Sequence, residues 1–201
     1  MNLNDAEKLV QVYRFLFVCK FVYYHNREEL YIMDSKKLNR LIIMGLMVAL
    51  SFVGANIKLP GPFTTIAFDS LPAFFAGLLM GGVPGGIVGF LGHLMTSFLS
   101  GFPLGIHTHI IIAVMMFLTV MLYGTVTRKA NVYFGAVVAI LLNGIAMPLA
   151  LIILPTFSIQ MAVGFMPMLT SVSAANVIVS ILVYNAVSKT EFVEGFKDEA
   201  L

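Results

Sequence analysis

Charged residues are scarce in this chain of 201 residues, where Asp, Glu, Lys and Arg together make up 11%. An ordinary globular domain carries about 25%. Within positions 41–188 the only charged side chains are those of Lys58, Asp69, Arg128 and Lys129. This shortage excludes a soluble single domain, and the same composition excludes a disordered chain because such chains are rich in charge and poor in apolar residues.

Cysteine is nearly absent, and there is no excess of basic charge. The one cysteine, Cys19, cannot form an internal disulfide bond and provides no metal-ligand spacing. The formal net charge is only +2, and its carriers are too scattered to neutralise the phosphates along a nucleic acid. Nucleic-acid binding is therefore excluded, whereas the redox compartment stays open.

Apolar side chains are abundant and form 59% of the chain. A bilayer core about 30 Å thick takes roughly 20 helical residues. The second of the six candidate spans is too short to cross upright, so we expect either that neighbouring helices shelter it or that part of the preceding loop extends it. The predicted fold class is an all-α integral membrane protein, a bundle of six transmembrane helices. The predicted spans are residues 41–57, 71–82, 84–99, 108–127, 132–154 and 165–187.

The distribution of basic residues predicts the orientation of this bundle. Basic residues favour the cytoplasmic side of a membrane. With six spans and the amino end inside, only Lys58 falls outside. We therefore expect both termini in the cytoplasm and outward loops at 58–70, 100–107 and 155–164. The residues that fall inside are Lys36, Lys37, Arg40, Arg128, Lys129, Lys189 and Lys197.

The sequence divides into three parts of different composition. Residues 1–32 interleave basic and aromatic side chains, a pattern typical of an amphipathic helix on a membrane surface. The alternative is an extension ahead of a native start at Met33. Residues 33–188 form the predicted membrane domain, and residues 189–201 form a short cytoplasmic tail.

The first outward loop, residues 58–70, contains two prolines and a glycine that restrict its backbone, and we expect it to act as a lid over a pocket. Asp69 is a candidate helix cap, a candidate ligand contact, or both. Lys58 is an interfacial anchor, a partner of Asp69, or a contact for an anionic ligand group. Phe63 and Phe68 are available to stack on a ligand, although aromatic residues at this depth also serve as anchors.

Three polar side chains are predicted to lie inside the membrane. An ionisable group there, such as His93, is a candidate functional residue. The alternative for His93 is a neutral ring that hydrogen-bonds to a carbonyl group or to Asn143 and serves packing alone. Asn143 and Asn176 suit hydrogen bonds between helices, and they equally suit recognition of a neutral polar ligand.

A further group lies at the outer end of the third and fourth spans, where Phe102, His107 and His109 are candidate ligand contacts. Two histidines separated by one residue at a helix start do not share a face, and a metal site would want a third ligand. We therefore predict no metal ion.

Two patterns of small residues favour close helix packing. The glycines within 81–89 resemble a phosphate loop only superficially, because no Lys-Ser or Lys-Thr follows them. Gly45 and Ala49 form a small-xxx-small face on the first span. That face serves either internal packing or a partner's helix.

The order of these features resembles the substrate-binding (S) components of energy-coupling factor (ECF) vitamin importers, over residues 36–188. Four strings are similar to the branch associated with cobalamin and its precursor α-ribazole. They are Gly-Ala-Asn-Ile-Lys at 54–58, Ile-Ala-Phe-Asp-Ser-Leu-Pro at 66–72, Gly-His at 92–93 and Ser-Gly-Phe-Pro-Leu-Gly at 100–105.

This resemblance implies a six-helix bundle in the bacterial cell membrane, with an outward pocket and no catalysis. It also implies that Gly45 and Ala49 contact a transmembrane coupling (T) subunit, although the family's motif is more often Ala-xxx-Ala. Two cytoplasmic ATPases would supply the energy, so ATP is used by partners and the chain needs no cofactor.

Two other classes of function remain as alternatives. An autonomous ion-coupled carrier or channel usually places carboxylates or paired charges inside the membrane, where this chain has His93 and amides. An intramembrane enzyme would use His93, His107 and Asp69, yet no nucleophile and base pair emerges.

Overall fold

The structure, a computed structural model, describes residues 35–60, 65–190, 193 and 196. Residues 1–32, Phe63 and the side chain of Lys58 lie outside the described residues, so what the sequence indicates about them stays a prediction. Two compact units divide the chain, residues 1–42 and residues 43–201. Of the first, only the beginning of one helix is described.

Helices dominate the described residues, and each of the six predicted spans corresponds to a helical segment. Among the described residues, five helical stretches are long and apolar enough to cross a membrane, and Leu71–Met80 is a shorter apolar helix. The fold class is therefore confirmed. The helices are α1 (Ser35–Asn56), α2 (Leu71–Met80), α3 (Gly82–Leu99), α4 (Ile106–Lys129), α5 (Val132–Leu141), α6 (Met147–Ala150) and α7 (Ile159–Val187).

Helix α2 lies in the centre of the bundle. It packs against α3, α4 and α7, and its residues 72–80 are all buried. At 1.5 Å per residue its ten residues span only about 15 Å. Because neighbours surround it, its ends do not have to meet lipid with unpaired backbone groups. The expectation that other helices shelter the second span is confirmed.

Helix α3 approaches α2 through glycine. A methyl group on Gly85 would lie 2.5 Å from the Cα of Gly77, which is closer than two carbon atoms can approach. The connection between the helices is one residue, Gly81, with φ at +86°, a conformation that side chains disfavour. These glycines thus serve helix packing, as the absence of a phosphate-loop signature indicated.

The first connecting loop contains a short hairpin. Strands β1 (Lys58–Pro60) and β2 (Thr65–Ala67) are antiparallel, with Leu59 opposite Ile66. The sequence predicted a restricted backbone without a helix and did not specify this pairing, and the role of the loop as a lid stays a prediction. Pro60 at the end of β1 is compatible with pairing because a two-stranded sheet has only edge strands.

The fifth predicted span is interrupted rather than uniform. A π-helical turn, Leu142–Ala146, joins α5 to α6, and a 3-10 turn, Leu151–Ile153, follows α6. In the π-helical turn the N–H of Met147 reaches the carbonyl oxygen of Leu142, five residues earlier. The next residue, Pro148, has no N–H to donate to the preceding turn. This local widening is typical of π-bulges at functional positions.

The last helix begins earlier than the sequence predicted. Helix α7 starts at Ile159, where Ser158 Oγ accepts a hydrogen bond from the N–H of Met161 at 3.2 Å. The prediction that 155–164 is a loop was therefore wrong for 159–164. Ser158 is an N-cap residue of the favoured type, whereas Pro167 lies inside the helix and does not end it.

Gly85→Ala is expected to lower the free energy of unfolding by about 1–3 kcal/mol, the usual consequence of overpacking. Gly164→Ala in α7 is the matched control, because a methyl group there meets nothing within 4 Å. Thermal unfolding of both variants in the same detergent measures the difference. Equal unfolding temperatures would contradict the tight contact between α2 and α3.

Candidate functional site

A cavity of about 170 Å³ lies where three connecting segments meet. Ser70 comes from the segment before α2, Leu104 from the segment before α4, and Phe157 from the segment before α7. These are the three loops that the sequence predicted on one side of the membrane. They therefore surround one cavity, as expected of loops that share one end of a bundle.

The wall of this cavity is mostly apolar and contains four polar residues. The polar ones are Asp69, Ser70, His93 and Asn143. Among the described residues that line it there is no Lys or Arg. The apolar wall includes Ile112, Met116, Met147, Pro148, Leu151, Phe165, Met168, Leu169 and Val172. An apolar wall with a few convergent polar groups is the usual composition of a small-molecule site.

Asn143 is the least satisfied polar group of the cavity. It lies in the π-helical turn and is 5% exposed. Among the described residues, none donates a hydrogen bond to its Oδ1. A buried amide oxygen without a donor costs about 1–3 kcal/mol. Asn143 is therefore a candidate acceptor at the cavity wall, although its Oδ1 is itself buried and a donor reaches it only when the side chain turns towards the cavity.

Asp69 lies beside Ser70 at the start of α2. Its Oδ1 accepts hydrogen bonds from the backbone N–H of Ser70 at 2.9 Å and from the Ser70 hydroxyl at 3.3 Å. Burial raises the pKa of the Asp69 carboxyl above its ordinary value, and the hydrogen bonds with Ser70 oppose this only in part. Within the described residues, Ser70 makes no side-chain hydrogen bond to the first turn of α2, so Asp69 rather than Ser70 satisfies a backbone N–H at the start of this helix.

His93 hydrogen-bonds to a serine and a second histidine rather than to Asn143. Its Nε2 lies 3.2 Å from Ser97 Oγ and 3.2 Å from His109 Nδ1. Ser97 Oγ also lies 2.9 Å from His109 Nδ1. The two imidazole rings stack with centroids 5.3 Å apart. Because only His93 of the three lines the cavity, Ser97 and His109 stand behind it.

The other residues at this end of the bundle separate into two groups. Phe102 lies beside the network, with its ring centroid 5.8 Å from that of His109. His107 is exposed while His109 is buried, as their spacing indicated.

No group of three His, Cys, Asp or Glu side chains that could hold a metal ion is present in the described part of the chain.

Asn176 and Phe68 fasten the hairpin. Asn176 Nδ2 donates to the carbonyl oxygens of Ala67 at 2.8 Å and Val172 at 2.9 Å. The N–H of Phe68 donates to the carbonyl oxygen of Gly54 at 3.0 Å. Neither residue lines the cavity, and their hydrogen bonds hold the hairpin against the end of α1 and the middle of α7.

Sequence reasoning missed Ser97 and most of the apolar wall. Ser97 follows His93 by four residues, a spacing that places two side chains on the same face of a helix, so a signal for it existed. The apolar residues of the wall gave no such signal in the sequence, because Met, Leu and Phe also occupy exposed, lipid-facing positions in this chain.

The small-residue face of α1 is uncovered. Gly45 and Ala49 are both exposed, and a methyl group on Gly45 would meet nothing within 4 Å. The opposite face of α1, with Met47, Ser51 and Gly54, is buried. Among the described residues, none packs over Gly45.

These features define a membrane-embedded protein that encloses a small-molecule cavity among its helices. Residues 39–189 match the family described as "ECF transporter, substrate-specific component". The chain belongs to this family, whose members are substrate-binding subunits of transporters and work with transmembrane and ATPase modules.

Two solved structures are similar in fold. One is described as the S component of a bacterial ECF transporter, with 22% identity, a TM-score of 0.56, and coverage of 76% of this chain and 96% of the other. The second is ThiT from Listeria monocytogenes, with 19% identity, a TM-score of 0.59, and coverage of 80% and 98%. No curated protein matches the chain by sequence.

Asp69→Asn is expected to raise the unfolding temperature at pH 7. The folded protein binds the Asp69 proton more tightly than the unfolded chain, so its contribution to stability is greatest below about pH 3.8 and is lost as pH rises through the higher folded-state pKa. The difference between variant and wild type should therefore shrink on acidification. Each kcal/mol corresponds to about 2–4 °C.

Thermal unfolding between pH 4 and pH 8 measures this effect. Asp198→Asn, in the predicted tail, is the control and should leave the profile unchanged. A variant that unfolds at a lower temperature than wild type at pH 7 would mean that the hydrogen bonds with Ser70 outweigh the burial of the carboxylate.

Proposed function

We propose that the chain captures a vitamin precursor in the cavity between its loops and passes it across the membrane, with α-ribazole as the best candidate. The observation that carries this proposal is the buried, unpaired Oδ1 of Asn143 in an apolar cavity. Such an oxygen gains a partner only when a hydrogen-bond donor enters. The orientation with both termini in the cytoplasm is part of the proposal.

The size and charge of the cavity support a small neutral compound. Its volume of about 170 Å³ is below the roughly 300–1,000 Å³ of typical ligand pockets. A nucleoside such as α-ribazole is much closer to this size than complete cobalamin. Since no Lys or Arg is among the described residues of the wall, a phosphorylated or carboxylated compound would find no counter-charge there.

Three of the candidate residues are proposed to contact the compound directly, namely Asp69, His93 and Asn143. Phe102 and His109 are proposed to support them from behind. Of the remaining candidates, Phe68, His107 and Asn176 do not line the cavity, whereas Phe63 and the side chain of Lys58 lie outside the described residues. For Lys58 and Phe63 a role in closing the entrance remains the proposal.

The uncovered face of α1 supports a contact with the coupling subunit. Gly45 and Ala49 lie one helical turn apart and present no side chain larger than a methyl group, so another helix can approach closely. We propose that the T subunit packs here and that two cytoplasmic ATPases drive transport through it.

Isothermal titration of the purified protein with α-ribazole, without ATP, tests the proposed compound. Asn143→Leu should weaken binding roughly 5-fold to 100-fold, because the donor of the compound would be left unpaired at about 1–3 kcal/mol. Asn185→Leu is the matched control, since Asn185 is exposed on α7. No heat with the wild-type protein would refute α-ribazole, and equal affinity of both variants would refute the role of Asn143.

Gly45→Leu or Ala49→Leu should abolish co-purification with the T subunit, because a larger side chain keeps the two helices apart. Binding of α-ribazole should be unchanged, since neither residue lines the cavity. Gly164→Leu on α7 is the control, as it is also an exposed helical glycine with nothing within 4 Å. Intact complexes with the α1 variants would assign this face to lipid.

A further inference from the structure

The hydrogen bonds around His109 determine which of its ring nitrogens carries a proton. The backbone N–H of Leu104 donates to His109 Nε2 at 3.4 Å. A backbone N–H can only donate, so Nε2 is an acceptor and carries no hydrogen. In a neutral imidazole exactly one nitrogen carries the hydrogen. His109 therefore carries it on Nδ1.

The same reasoning extends to His93. The Nδ1–H of His109 lies 2.9 Å from Ser97 Oγ and 3.2 Å from His93 Nε2. If His93 Nε2 also carried a hydrogen, two N–H groups would face each other across 3.2 Å. Ser97 Oγ accepts the His109 hydrogen, and among the described residues the only acceptor left for the Ser97 hydroxyl hydrogen is His93 Nε2. Ser97 Oγ, 3.2 Å away, then donates its hydrogen to the same nitrogen.

The proton of His93 consequently resides on Nδ1. No hydrogen bond joins Nδ1 to another of the described residues, and His93 is part of the cavity wall. Asn143 belongs to the same wall, and its buried Oδ1 has no donor among the described residues. The cavity thus combines one donor from α3 with one acceptor from the π-helical turn.

We infer that Ser97 and His109 are positioning residues that hold His93 in its Nδ1–H form, so that the transported compound must accept a hydrogen bond from His93 and donate one to Asn143. This specificity rests on the proposed function for its ligand. It selects uncharged molecules with an apolar body, an unprotonated ring nitrogen or carbonyl oxygen, and a hydroxyl or amino group.

Leu104 connects the protonation of the two histidines to the position of the loop between α3 and α4. Its N–H is held by His109, and its side chain lines the cavity. Gly101, Phe102 and Gly105 in this loop all have positive φ, so its path is an unusual one. The hydrogen bond to His109 therefore fixes the loop and the tautomer of His93 together.

The first test needs no ligand and so stands apart from the proposed function. Purified wild-type protein with ¹⁵N-labelled imidazoles is examined by NMR in detergent at pH 8, with signals assigned through single His→Asn variants. His93 and His109 should both show a protonated Nδ1 and an unprotonated Nε2. The exposed His107 should show a mixture of the two forms. A protonated Nε2 on His93 would overturn the inference.

The second test separates positioning from simple structural support. Ser97→Ala should turn the His93 signal into a mixture of tautomers and weaken α-ribazole binding about 3-fold to 10-fold. His109→Asn keeps an amide donor near the place of Nδ1 and should retain the His93 tautomer, whereas His109→Phe should lose it. Ser100→Ala, at an exposed serine three residues on, is the control.

The outcomes of the two tests are distinguishable. If Ser97→Ala leaves the His93 tautomer unchanged, the positioning role is refuted regardless of any ligand. If the tautomers behave as expected and α-ribazole does not bind wild-type protein, the choice of compound fails while the arrangement of donor and acceptor stands. A panel of neutral heteroaromatic nucleosides and their carboxylated analogues then tests the selection for uncharged compounds.

Discussion

The close approach of α2 and α3 at Gly77 and Gly85 is the contact on which the rest of the bundle depends. A helix of ten residues is too short to cross a bilayer alone, and it is stable here because other helices surround it completely. Glycine permits that enclosure, since any side chain at Gly85 would collide with the α2 backbone. The enclosed helix in turn carries Asp69 and Ser70 to the edge of the cavity.

Polar groups inside this bundle are treated in two different ways. The Nδ2 of Asn176 and the hydroxyl of Ser97 hydrogen-bond to other residues of the protein and hold a hairpin and a pair of histidines in place. Asn143 is buried without a donor to its Oδ1 among the described residues. An unmade hydrogen bond costs free energy, and among the described residues with such a buried atom only Asn143 also lines the cavity. Its presence in a cavity is what a binding protein requires.

Particular residues show how far pattern reasoning reached. The spans followed from hydrophobic runs, and Asp69, His93 and Asn143 were singled out because polar groups are rare in an apolar chain. The start of α7 was misplaced at 165, because a single N-cap serine such as Ser158 is a weak signal in a sequence. The partner of His93 was also missed. His109 lies sixteen residues away on another helix, and periodicity cannot pair side chains across helices.

The amino-acid sequence alone was enough to predict the membrane environment, the six helical segments that correspond to spans and the family, because these follow from composition, run length and short local strings. The shape of the cavity, the stacking of two imidazoles and the uncovered face of α1 arise when segments distant in the chain pack together. Each of these depends on distances between helices, and one sequence contains no measure of such distances. The groups that recognise a compound are therefore brought together by the packing of the helices, whereas the class of the protein can be predicted from its composition.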